Sequence, residues 1–336
     1  MATARQIVAL LSSLNQGDEE QFFAIALQVA AAEAQRGRRA VADELRVLVE
    51  QGRTKGWRER GRPADAVIPI TKPRGELQNL LTSSYPQTRL NDLILRPNVV
   101  ETLSGVIEQQ RKRESLRHYG LVPVSTLLLV GPSGSGKTLT ASAIAGELHL
   151  PLYGVRFDSV ITRYMGETAS KLRLIFDQIA ATRGVYLFDE FDAIGGKRTA
   201  DNDIGEMRRV LNSFLQFLEE PRNTDSLVLC ATNHAELLDR ALFRRFGEVL
   251  EYSLPDHDLT KELLRSRLSS FGFDDSWWPI VCKDTEGLSH AELVAAAEDV
   301  MKQVILSDRR QADADLLQDK LQRKMATRAV VTHLEK

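Results

Sequence analysis

The chain has little cysteine: Cys230 and Cys282 are the only two in 336 residues. Two thiols so far apart supply neither a disulfide framework nor a zinc cluster, and both are expected to behave as small apolar residues of a reducing compartment. No apolar run approaches the roughly 18 residues of a membrane span, and the first residues lack the layout of a secretory signal. The expected location is therefore the cytoplasm. A net charge of −2 excludes a global electrostatic attraction for nucleic acid and leaves only local patches. There is no His-Glu-x-x-His and no convincing Ser/His/Asp arrangement, so any peptidase associated with this chain is expected to be a separate protein.

What is present is an ordinary apolar fraction, 43%, enough for a sizeable core, and a length that suggests two domains or one large and one small. The chain is organised around Gly131, Pro132, Ser133, Gly134, Ser135, Gly136, Lys137 and Thr138. An apolar run, Val124 to Val130, precedes this stretch, and a helix-like segment from Leu139 to Leu148 follows it. Strand, glycine-rich turn and helix are the context in which G-x-x-x-x-G-K-[ST] reads as a P-loop. The glycines allow the backbone to turn its N–H groups onto a phosphate, and the helix N-terminus adds its own free N–H groups. Lys137 then reaches the β- and γ-phosphates, and the Thr138 hydroxyl holds Mg²⁺. The chain is expected to bind a nucleoside triphosphate.

Residues 1–52 read as three helices, with a break at Asn15 to Gly17 and a stop at Gly52. This module is expected to serve as an adaptor for a substrate or partner, with a purely structural role as the alternative. Residues 53–88 form a breaker-rich linker containing Pro63, Pro69, Pro73 and Pro86. Its basic part, 53–63, is open to two readings: a solvated connection, or an arm for an anionic partner with Trp57 as a stacking face. Leu77, Leu80 and Leu81 are candidates for docking on the body of the protein. Residues 89–255 read as an α/β domain, opening with one amphipathic helix from Val99 to about Gly120. Its strand candidates are Val124–Val130, Leu152–Phe157, Val185–Asp189, Leu227–Ala231 and Glu248–Tyr252. Helical patterns between them predict a parallel sheet sandwiched by helices, with ligands at the carboxyl ends of the strands. Residues 256–336 read as a helical lid, with helices over 259–269, 289–306 and 312–321 and an anchor at Trp277 and Trp278.

Val185 to Glu190 is an apolar run ending in two carboxylates. Alternation along a strand gives successive side chains different tasks. Asp189 suits the Mg²⁺ shell and Glu190 the activation of the attacking water. Asn233, after the apolar run from Leu227, is a candidate for the γ-phosphate or the water, with helix capping as the alternative. Arg244 and Arg245 follow a short helical stretch and are either an exposed basic spot or planar donors for a phosphate. They stand too far along the chain to fold back on their own P-loop, which suggests a neighbouring subunit's nucleotide.

The ordered set Gly131–Thr138, Tyr164 to Glu167, Phe188 to Asp192, Ala231 to Asn233 and Leu238 to Phe246 resembles an AAA+ ATPase, and more narrowly the AAA family proper near its katanin and spastin branch and small bacterial relatives. The resemblance covers about residues 89–310. It implies an ATP- and Mg²⁺-dependent ATPase with an α/β domain and a helical lid, assembled as a ring, usually a hexamer. Arg244 and Arg245 would then act as arginine fingers in trans. By the same resemblance Asp92, Leu93 and Ile94 lie where adenine is cradled, and Leu139 completes the nucleotide site. His290 and Ala291 occupy the nucleotide-facing lid turn, with His290 where glycine is usual and no arginine evident in that turn. Gly205 to Arg209 resembles the second pore segment. Tyr164, Met165 and Gly166 occupy the place of the pore loop that contacts the client. Three functions follow: a remodeller or unfoldase of proteins, in some cases feeding a separate peptidase; a nucleotide-gated scaffold; and a nucleic-acid motor or loader, which the net charge and the pore triplet oppose.

Overall fold

The computed structural model describes residues 73–161, 165–195, 201–221, 224–238, 240–307 and 311–334, and a few residues near the N-terminus. By contacts the chain divides into two compact units, residues 1–68 and 69–336. In the first unit, Ala26, Val29, Ala30 and Val49 are buried. The calls on its three helices, and the basic stretch 53–63, otherwise lie outside the described residues.

The second unit is built on a six-stranded sheet in the order β1-β3-β4-β5-β2-β6. Its strands are β1 Leu81–Ser84, β2 Thr126–Val130, β3 Leu152–Val155, β4 Val185–Phe188, β5 Leu227–Thr232 and β6 Glu248–Glu251. The central strands are near-continuous apolar runs because both faces are covered: the four residues of β4 and the six of β5 are all buried. Successive side chains enter different cores. Leu127, Leu129, Val185, Leu187, Leu227 and Leu229 pack with helices α1 (Pro97–Arg111) and α3 (Lys137–Leu148). Leu128, Tyr186, Phe188, Val228 and Cys230 face α4 (Met165–Ala181) and α5 (Asp201–Glu219), where Phe176 stacks on Phe188 and Phe214 meets both rings edge to face.

Three expectations are corrected. The helix predicted from Val99 to Gly120 is two helices, α1 and α2 (Arg113–His118), broken at Lys112. The sheet is not wholly parallel: β1, in the stretch with the docking leucines, pairs antiparallel to β3. Its four residues carry only one buried side chain, too short and too polar a run to register as a strand. Finally, α4 begins at Met165, so the exposed Gly166 lies in its first turn and not in a preceding loop.

The segment joining β1 to α1 is fastened to α3. The Arg89 guanidinium donates to the Gly146 carbonyl and the Leu90 amide to Glu147. Gly146 has no room for a side chain, since an added Cβ would collide with the Thr88 carbonyl. Glycine to alanine inside a helix ordinarily stabilises by about 1 kcal/mol. At this position the sign is expected to reverse: Gly146→Ala should lower the melting temperature by several degrees in a thermal scan.

Helices α6 (His257–Leu268), α7 (His290–Leu306) and α8 (Ala314–Leu334) form the lid around Leu263, Leu264, Leu293, Val300 and Leu317, with Trp277 and Trp278 packed partly buried at its edge. Asp256 caps α6 by accepting from the Leu259 amide. Ser289 and Glu292 form a capping box at the start of α7. Among the described residues no helix is long and apolar enough to cross a membrane.

Candidate functional site

β2 ends at Val130, and the chain turns at once because Gly131 lies against the Tyr252 carbonyl, where a Cβ would collide. Gly134 and Gly136 then take positive φ values of 73° and 101°, the left-handed region that glycine enters without strain. Gly136 ends the turn as the residue before α3, so the free N–H groups of that 12-residue helix face the same hollow. Ser135 is fully buried there and its hydroxyl has no hydrogen-bond partner among the described residues.

Lys137 is 6% exposed. Its ammonium donates to the carbonyls of Gly131 at 2.7 Å and Pro132 at 2.8 Å, and to the Asn233 side-chain oxygen at 2.8 Å. Burial pushes its pKa down, and the carboxylates of Asp189 and Asp192 pull against that shift. The Thr138 hydroxyl donates to Asp189 at 2.6 Å, and the other Asp189 oxygen accepts from the Glu190 amide at 3.0 Å. Glu190 itself is exposed on a backbone with φ 54°, unusual for a side chain of its size. One further link stiffens this end of the sheet: the Thr232 hydroxyl donates to Asp192 and accepts from the His234 amide.

The lid closes the hollow from the other side. The Ala291 amide, in the first turn of α7, donates to the Gly134 carbonyl at 3.0 Å. Between lid and P-loop lies a cavity of about 440 Å³, lined by Ser133–Leu139, Asp189, Glu190, Asn233, Arg267, His290, Ala291 and Val294. A smaller hollow adjoins it, with Asp92–Leu95, Leu139, Leu263, Ser266, Arg267, His290 and Val294 on its walls. It is mostly apolar, as a purine slot requires, because Leu93 and Leu95 pack into the sheet domain while Ile94 packs against the lid. Both ring nitrogens of His290 are buried without a hydrogen-bond partner of good geometry among the described residues. Burial pushes its pKa down, opposed by the Ile94 main chain and by Asp256.

A buried ammonium, an orphaned hydroxyl and helix N–H groups turned on one hollow, next to an apolar slot, fit the phosphates and base of a nucleotide. The family model for the ATPase family associated with various cellular activities, AAA, matches residues 127–254. An uncharacterised AAA family ATPase of Sinorhizobium fredii is 32% identical over 313 residues, covering 93% of this chain and 92% of that protein. The chain belongs to the AAA family of ATPases. The α/β sheet and the helical C-terminal part are the fold that this membership implies, and the activity is hydrolysis of ATP. The proteasome-activating nucleotidase of Pyrococcus abyssi is 32% identical over 72% of this chain and 66% of its own length. The ATP-dependent zinc metalloprotease FtsH of Helicobacter pylori strain J99 is 32% identical over 65% of this chain, which spans only 36% of that protein.

The sequence-derived nucleotide residues thus converge on one cavity: Asp92, Leu93 and Ile94, Ser133 to Leu139, Asp189, Glu190, Asn233, His290 and Ala291 all line it or its annexe. Pro132 takes part through its carbonyl. Arg244 and Arg245 do not line it. Arg244 is exposed without a hydrogen bond or ion pair among the described residues, and Arg245 is paired with Glu219. Tyr164 lies outside the described residues, as does the side chain of Met165. Reading the sequence missed Arg267, Ser266, Leu263 and Val294. The available signal was helical spacing, since Leu263, Ser266 and Arg267 stand at i, i+3 and i+4 on α6. Arg267 lines the cavity from α6, a different helix from the one that begins at the lid turn.

Proposed function

We propose that this ATPase works as a ring, a hexamer in the first instance, and spends ATP on remodelling or unfolding a protein client. The observation that carries the reading is the pair of relatives whose names join nucleotide hydrolysis to proteolysis, a metalloprotease and a proteasome activator, matched here by a chain with no peptidase signature of its own. Such a chain prepares a client and leaves any cleavage to a separate protein.

In this reading Lys137 and the P-loop amides hold the β- and γ-phosphates. Thr138 and Asp189, already hydrogen-bonded to each other, would hold Mg²⁺, whose charge would offset that of the phosphates. Glu190 takes the proton of the attacking water and Asn233 orients that water or the γ-phosphate. Arg244, with Arg245 beside it, completes the site of a neighbouring subunit. Tyr164, Met165 and Gly166 grip the client, and residues 1–52 select it through the linker 53–88. The sheet domain, 89–255, supplies the motor and residues 256–336 the lid.

The experiment follows the fluorescence of a folded client together with phosphate release. Tyr164→Ala is expected to keep hydrolysis within about twofold of the parent and to stop ATP-dependent loss of client fluorescence. Glu190→Gln, the control, keeps nucleotide binding and loses both signals, because the amide cannot accept the proton; general-base catalysis is worth about 10²–10⁴ in rate. Client unfolding by Tyr164→Ala at the parent rate would overturn the remodelling reading in favour of a nucleotide-gated scaffold.

A further inference from the structure

β4, β5 and β2 are adjacent and parallel, so their amino-terminal ends stand in a row. The nucleotide cavity lies beyond their other ends, about 20 Å away along the six residues of β5. Three arginines gather at the amino-terminal row. Arg113 and Arg117, one helical turn apart on α2, both pair with Asp225, which leads into β5. Arg183, which leads into β4, is close enough to feel the charges of Arg113, Asp225 and Glu114.

These charges do not balance. Asp225 and Glu114, the latter 3.5 Å from Arg113, answer three guanidinium groups. Arg183 is half-buried and forms no hydrogen bond or ion pair among the described residues, and its Nε is buried without a partner. Burial pushes its pKa down and Arg113 pushes it further, against the pull of Asp225 and Glu114. An anion reaching this guanidinium would meet both uncompensated charge and free donors.

An apolar strip adjoins the cluster. α2 ends in a fixed turn: the Leu121 amide donates to the Leu116 carbonyl, the Gly120 amide donates to the Arg117 carbonyl, and Gly120 has φ 74°. That turn displays Tyr119, Leu121 and Val122, which are 80%, 57% and 81% exposed. His118 alone separates the strip from Arg117. Aromatic and aliphatic side chains on an ordered turn beside arginine have the composition of a protein-binding surface. A nucleic acid would meet two carboxylates among the arginines, and Leu121 and Val122 offer its bases no stacking face. We propose that this end of the sheet domain docks an acidic segment of a partner protein, with a carboxylate at Arg117 and Arg183 and a neighbouring apolar side chain on Tyr119, Leu121 and Val122. A partner held here leaves the nucleotide cavity open, and the proposal does not rest on the remodelling reading.

The experiment follows the fluorescence anisotropy of short labelled peptides with the full-length protein. One peptide alternates glutamate with leucine, one has serine in place of leucine, and one alternates lysine with leucine. The glutamate–leucine peptide is expected to bind, more weakly as salt rises, and the lysine–leucine peptide to stay free. Arg183→Gln should weaken the glutamate–leucine peptide about 10-fold for a lost charge-assisted contact, while Asp225 keeps Arg113 and Arg117 as partners. Arg183→Lys keeps the charge and loses the fork; it should retain part of the affinity, and it repeats the test if the glutamine variant fails to fold. Val122→Ser, at an exposed position, should cost the glutamate–leucine peptide about 10-fold and leave the glutamate–serine peptide unchanged. Both variants should hydrolyse ATP and sediment as the parent does. No binding of the glutamate–leucine peptide, or equal affinity for parent and variants, would overturn the proposal. A single-stranded oligonucleotide that displaces the peptide and is itself weakened by Arg183→Gln would reassign the surface to nucleic acid. Altered sedimentation of Val122→Ser would make it an interface between copies of this chain instead.

Discussion

Lys137→Ala is expected to abolish nucleotide binding. Among the residues lining the phosphate cavity, Lys137 is the cation carried by the P-loop itself, and its ammonium is already aimed inward by Gly131, Pro132 and Asn233. Two charge-assisted hydrogen bonds to phosphate oxygens at roughly 1.5–3 kcal/mol each correspond to about 10²–10⁴ in affinity. The methyl group left behind cannot reach a phosphate from the first turn of α3. Titration with a fluorescent nucleotide should show no saturation at concentrations that saturate the parent. The melting curve without nucleotide distinguishes lost binding from lost folding. An affinity equal to the parent's would move the nucleotide out of this cavity.

Removing Arg244 is expected to cost about 10³–10⁵ in hydrolysis rate, the range an arginine finger supplies, with nucleotide affinity near that of the parent. Arg245→Ala tests the second arginine, but its meaning differs because that side chain is paired with Glu219 within its own subunit. An exposed pair of this kind contributes about 0–1 kcal/mol, so the fold should survive its loss. If Arg244 serves a neighbour's nucleotide, Arg244→Ala protein mixed with Lys137→Ala protein should regain part of the activity, since some interfaces then join an intact P-loop to an intact finger. Specific activity should also rise with protein concentration. A monomer turning over at a concentration-independent rate, or a mixture as inactive as its components, would count against a shared site.

The parts of the fold legible in the sequence were those in which one strong local signal dominates. Apolar runs gave the four inner strands, β3, β4, β5 and β2, because strands buried on both faces have no polar alternation to dilute them. The P-loop was legible because glycines, lysine and threonine at fixed spacing leave little else to build. β1 was hidden in a proline-bearing stretch: only one of its four side chains is buried, and it is a strand because β3 offers it an open edge. The split between α1 and α2 at Lys112 leaves no mark in the pattern, since no glycine or proline stands there. Arg267 escaped for a different reason. Motifs report residues near one another along the chain, whereas this arginine reaches the cavity through the packing of α6 beside α7, a tertiary fact. His290 stood out in the sequence because it replaces a usual glycine, yet only the structure showed its two ring nitrogens buried without partners of good geometry among the described residues.

The bond from the Ala291 amide to the Gly134 carbonyl turns α7 into a lever arm. Its short end rests on the turn that receives phosphate, and its 17 residues span about 25 Å. A rotation of about 5° about that bond would carry the far end about 2 Å, given that length. What sits at the far end is Ile305 and Leu306, apolar side chains 63% and 85% exposed to solvent. Such a rotation, with α6 and α8 packed along α7 and moving with it, would displace a greasy tip at the end of α7 away from the P-loop.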